Sequence, residues 1–155
     1  MAVTTNIAAF LKQFKAHQQL CLEASSKAIN YSLLQTYMNI VQRTPAGNPN
    51  LWHPPYWPAG YQPGDLKKSW HIAYNGQERT VGGQFSNAEQ TLESGGLSFK
   101  VGTLTNQVAT IYNSQPYAQR IEEGWSTQAP QGMMRISVAE WTSNLDRAVA
   151  KYRIK

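Results

Sequence analysis

Charge, cysteine and long apolar runs are all scarce in this 155-residue chain. Only 15% of residues are charged, against about a quarter in ordinary soluble domains, so much of the surface is expected to be uncharged or covered by a partner. Cys21 is the sole cysteine, which excludes an internal disulfide and, within a helical pattern, suits a small apolar residue better than a redox or metal role. No run approaches the ~18 apolar residues of a membrane span, and the N-terminus lacks the order of a secretory signal. The chain is therefore expected to be made in the cytoplasm, without a membrane partner.

Chemistry-bearing motifs are equally sparse. His17, His53 and His71 form no H-x-x-x-H pair and accompany no acidic cluster, so neither a metal nor a cofactor is expected. There is no G-x-S-x-G elbow, no phosphate-cradling glycine loop with a following lysine, and no Cys/His signature. The doubled carboxylate Glu122-Glu123 remains. Sequence neighbours in a helical turn diverge by ~100° and do not face one substrate together. No catalytic residue is expected, although a single glycosidase-like acid is conceivable.

What the chain does contain falls into four parts of one expected domain. In residues 1–43, Ile7, Phe10, Leu11, Phe14, Cys21, Ala24, Ala28, Ile29, Leu33, Leu34, Tyr37, Met38 and Val41 recur at three- and four-residue steps, with neither Gly nor Pro before Pro45. This pattern predicts one long helix, or two in line, from about Thr5 to Arg43, capped by Thr4 or Thr5. At ~1.5 Å per residue it exceeds what so small a core needs, so part of it is expected to pack on another subunit. Residues 44–64 are dense in Pro and Gly and carry Trp52, Tyr56, Trp57 and Tyr61. Such aromatics can pack within the protein or between subunits, dock to another protein, or stack on a ligand.

Residues 65–113 read as a small sheet with an arm. "SWHIAYN" alternates with the period of a strand, Asn75-Gly76 is a strong turn signal, and "LSFKVG" and "QVATIYN" supply two further strands, with a polar arm over 77–95. Residues 114–155 begin with a loop and end in an amphipathic stripe, Met134, Val138, Trp141, Leu145, Ala148 and Tyr152, expected as a C-terminal helix covering the sheet. In the loop, Tyr117 and Ala118 would start a turn that points Ile121 inward and lets Glu122 accept hydrogen bonds. Gly124 would allow a tight bend, Ala129-Pro130 would be extended, and Gly132 would permit a close approach before the helix. The fold class is thus α+β: a long N-terminal helix and a C-terminal helix on a small antiparallel sheet, with projecting loops.

Net charge is +5, distributed as +4 over residues 1–68, −2 over 69–123 and +3 over 124–155. The basic end, Arg147, Lys151, Arg153 and Lys155, suits either nucleic-acid phosphates or a helix terminus favoured by its dipole.

Taken together, Thr44-Pro45, "GDLKKSW" at 64–70 and "IYNSQPYAQRIEEGWSTQAPQGMMRISVAEW" at 111–141 resemble the tail-completion or neck protein family of long-tailed bacteriophages, the group that includes minor tail protein Z-like chains. The family's pattern falls here on Ser69, Trp70, Asn113, Tyr117, Glu122, Gly124, Pro130 and Gly132, and the match extends over about two-thirds of the chain. The stretch from Ala46 to Pro63 departs from it, being longer than is usual in the family.

The resemblance implies a structural virion protein at the head–tail joint. It would form a ring, a hexamer before a dodecamer, that contacts the connector or adaptor and the tail terminator or tail tube, with DNA passing through the lumen unread. Trp52, Tyr56, Trp57, Tyr61 and Trp125 are the candidate interface residues. A nucleic-acid-binding module using the basic C-terminus and the aromatic loop is the alternative, and a cell-wall-active enzyme relying on Glu122 or Glu123 is a third.

Overall fold

The computed structural model describes residues 6–48, 50, 62–78 and 108–154. Helix α1 spans Ile7–Arg43, about 55 Å at 1.5 Å per residue. Its start differs from the sequence expectation: Asn6 is the cap, its side-chain oxygen accepting the Ala9 amide at 3.1 Å. Asparagine is as good a cap as threonine, and here it stands one residue before the first helical position. At the other end Thr44 closes the helix, its amide donating to the Ile40 and Val41 carbonyls and its hydroxyl to the Ile40 carbonyl.

A short helix α2 (Asp65–Lys68) leads into strand β1 (Trp70–Tyr74). β1 pairs antiparallel with β2 (Gln77–Glu78) and β3 (Ala109–Asn113), giving the strand order β2-β1-β3. Asn75 and Gly76 both have positive φ, 51° and 77°, as the tight turn joining β1 to β2 requires. The expected strand at 97–102 and most of the 77–95 arm lie outside the described residues. In register, Ile72 stands opposite Ile111 and Trp70 opposite Asn113. Alternation puts Trp70 and Ile72 on the face that meets α1, while His71 and Tyr112 stack on the opposite face with centroids 5.0 Å apart.

After β3 come α3 (Ala118–Glu122), α4 (Met134–Ala139) and α5 (Trp141–Tyr152). The apolar stripe expected as one C-terminal helix is therefore two helical pieces that meet at Glu140. α5 runs antiparallel along α1: Tyr152 packs edge-on to Tyr31 at 5.9 Å, Asn144 donates to Thr36, and Ala148 is fully buried. Trp141 packs against the core, so the C-terminal helices close over α1 and, through it, the sheet.

The core is built from the second half of α1 (Leu33, Leu34, Tyr37, Met38, Ile40, Val41) with Leu66, Trp70, Ile72, Ala129 and Met133. The architecture is the α+β arrangement of a long N-terminal helix, C-terminal helices and a small antiparallel sheet.

Candidate functional site

The residues that carry the resemblance gather in two hydrogen-bonded groups at this core. Trp70 is almost fully buried, its indole N–H donating to Thr44 Oγ1 at 2.7 Å, while its carbonyl accepts the Tyr37 hydroxyl at 2.9 Å. A buried indole N–H needs such a partner; here the partner is the threonine that ends α1, so helix end and strand start are bolted together. Ser69 donates to the Asp65 carbonyl and accepts from Gln115, and Asn113 donates to the Leu66 carbonyl at 2.8 Å while accepting the Gln115 amide. These bonds tie α2, the start of β1 and the end of β3 into one knot.

A second knot is centred on Glu122. α4 has no side-chain cap of its own and no acid in its first turn, which leaves the amides at its start in need of acceptors. Glu122 supplies them from eleven to thirteen residues upstream: one carboxylate oxygen accepts the Met133 and Met134 amides at 2.7 and 2.8 Å, and the other accepts the Arg135 amide at 2.9 Å. The Arg135 guanidinium returns a bond to the Glu122 carbonyl. Burial disfavours the charge, but the three amide bonds and the Arg135 cation outweigh it and hold the carboxyl below its ordinary value. Glu123, by contrast, is exposed and accepts from Gln119.

Two glycines make this approach feasible. Gly132 has φ +78°, and a Cβ there would lie 2.6 Å from the Glu122 carbonyl oxygen and 2.7 Å from its carboxyl group. Gly124 has φ +90°, and a Cβ would meet the Pro130 carbonyl oxygen at 2.6 Å. The stretch expected to be extended at Ala129-Pro130 is instead a pair of turns, closed by Ala129 donating to the Ser126 carbonyl and Gly132 to the Ala129 carbonyl, both at 3.0 Å. Proline's fixed φ suits the second position of such a turn. Tyr117 and Ile121 pack against the core from α3.

Of the interface candidates, Trp125 is 74% exposed beside this loop, with the Arg120 guanidinium 5.6 Å from its ring centre. Trp52, Tyr56, Trp57 and Tyr61 lie outside the described residues. Among the described residues, no group of three or more His, Cys, Asp or Glu could hold a metal ion, and no helix is long and apolar enough to cross a membrane.

One constellation escapes local sequence reading. Arg43, at the end of α1, forms a fork with Glu140, the nearest contact 2.6 Å, and also donates to Ser137. Asn39 adds a bond to the same carboxylate. These bonds hold Glu140 below its ordinary carboxylate value, chiefly through the Arg43 hydrogen bond, and they fix the junction between α4 and α5 against α1. The only available signal is an isolated arginine near a helix end and a glutamate inside an apolar stripe, too weak to pair residues 97 apart.

Comparison of the chain with protein-family models, with curated proteins and with solved structures finds no match.

Proposed function

We propose that the chain is a non-enzymatic assembly protein that joins copies of itself into a ring adaptor at the head–tail joint of a long-tailed bacteriophage. One observation carries this reading beyond the resemblance: Ser69, Trp70, Asn113, Glu122, Gly124 and Gly132, spread over more than sixty positions, serve two hydrogen-bonded knots whose polar groups are spent on architecture. A motif set used this way specifies a scaffold. The carboxylate best placed for acid/base work, Glu122, is committed to three backbone amides, and a catalytic acid needs a protonation state free to change at working pH. Exposed Trp125 supplies an amphipathic anchor of the kind that dominates protein interfaces.

The test is light scattering combined with negative-stain imaging of the purified chain over a range of concentrations, at low and high salt. Closed rings of defined copy number are expected at high concentration. Binding of short duplex or single-stranded DNA that falls steeply with salt, without rings at any concentration, would replace this reading with that of a nucleic-acid-binding module.

A further inference from the structure

The first half of α1 stands outside the core. Every residue from Asn6 to Cys21 is exposed, including Ile7 at 67% and Phe10 and Phe14 at 58% each. Solvated helices normally carry polar side chains here; this one carries a stripe. Residues 7, 10, 14, 17, 21, 24, 28 and 31 alternate three- and four-residue steps, the heptad seam of a helix that packs along another helix.

The upper part of that seam is covered by α5, where Ala28 is buried and Tyr31 meets Tyr152. α5 then ends, and the seam continues uncovered. Where the cover stops there is a groove of about 390 Å³, whose lining includes the apolar Cys21, Ala24, Val149 and Ile154 together with His17 and Arg153.

We infer that a second copy of the chain fills this groove, the first halves of two α1 helices pairing antiparallel about a two-fold axis between residues 15 and 16. The inference rests on the α1 surface and does not depend on ring formation.

Three features select a second copy as the occupant. First, the seam is self-complementary in size towards its ends: in this register the large Ile7 and Phe10 of one copy lie opposite the small Ala24 and Cys21 of the other, and Phe14 meets His17 next to the axis. Large against small is how facing helix positions interdigitate at close approach. Second, the flanks permit it. Lys12, Lys15 and Glu23 fall on outward positions of the repeat, and the flanking positions nearest the axis, Gln13 and Gln18, are uncharged, Lys27 being the one charged flank and lying beyond the paired stretch, so the centre of the pair sets no like charges against each other. Third, the pairing continues an interface that already exists. The second copy's α1 runs in the direction of α5 and extends its path along the seam, its amide-rich start meeting the carbonyl-rich end of α5 in an attractive dipole arrangement. The apolar surface covered on each copy is on the order of several hundred Å², the size that marks an interaction site.

Below the concentration at which rings close, the full chain should shift with rising concentration, by light scattering, from 17.4 kDa to twice that mass. Phe14→Glu, outside the folded core, should weaken pairing at least ~100-fold while leaving the helical circular dichroism and the unfolding midpoint of the monomer unchanged. Phe10→Cys, with the native Cys21, should form inter-copy disulfides on mild oxidation, and adding Cys21→Ser should abolish them. The unaltered chain should not cross-link, because the two Cys21 thiols sit about 16 Å apart along the pair. A strict monomer at all concentrations, a pair that survives Phe14→Glu, or linkage through Cys21 alone would overturn the inference. Rings that form without any Phe14-dependent pair would overturn it while leaving the ring reading intact. A Phe14-dependent pair that never forms rings would do the reverse.

Discussion

The two halves of α1 are one unbroken helix with opposite surroundings. From Ala28 onward its side chains enter the core, with Leu34 and Ile40 fully buried, whereas the preceding turns carry comparably apolar residues into solvent. Hydrophobic patterning alone therefore does not mark a core position; what decides is whether the rest of the chain supplies a second layer. Here β1, β3 and α5 supply one for the second half and reach no further.

Substitutions can sharpen that contrast. The largest effect is expected for Leu34→Ala, which empties a fully enclosed position and should cost about 2–5 kcal/mol in chemical unfolding. Gly132→Ala comes next, at roughly 2–3 kcal/mol, because the left-handed backbone is strained for any side chain and the new Cβ would meet Glu122. A thermal midpoint unchanged by this substitution would mean that the clamp is not built as described.

Glu122→Gln should cost about 1–2 kcal/mol at neutral pH, by weakening a charged cap that serves three amides. Its pH dependence has a defined sign. The folded carboxyl is held below its ordinary value of 4.5, so its contribution is complete above that value and is lost as pH falls through the folded one. The gap between the parent chain and Glu122→Gln should accordingly close in acid, as followed by denaturant titrations at several pH values. The smallest effect is expected for Leu11→Ala in the bare half. With no core contact to lose, its monomer unfolding should stay within about 0.5 kcal/mol of the parent.

Local periodicity is what made the fold legible. The steps of α1, the alternation in β1 and the Asn75-Gly76 turn depend on neighbours within a few positions, and the structure follows them. Helix boundaries and breaks were less legible because they depend on distant partners. The C-terminal stripe keeps its period straight through Glu140, yet the helix is interrupted there, where Arg43 and Asn39 hold that carboxylate. Ala129-Pro130 reads locally as extended, and its turn is fixed by the approach of Gly124 to the Pro130 carbonyl. Sequence spacing marks Glu122 as an acceptor; that its donors are the amides opening α4 follows only from the fold.

The bolt between Trp70 and Thr44 has a mechanical consequence. Because the indole fastens the end of α1 to the first residue of β1 and the core holds the helix from Ala28 onward, the first half is a cantilever, and a load applied near Phe10 acts on the core through a free arm of about 27 Å. Two such beams joined at their free ends would form a strut with a core at each end, about 60 Å apart along the helix axes.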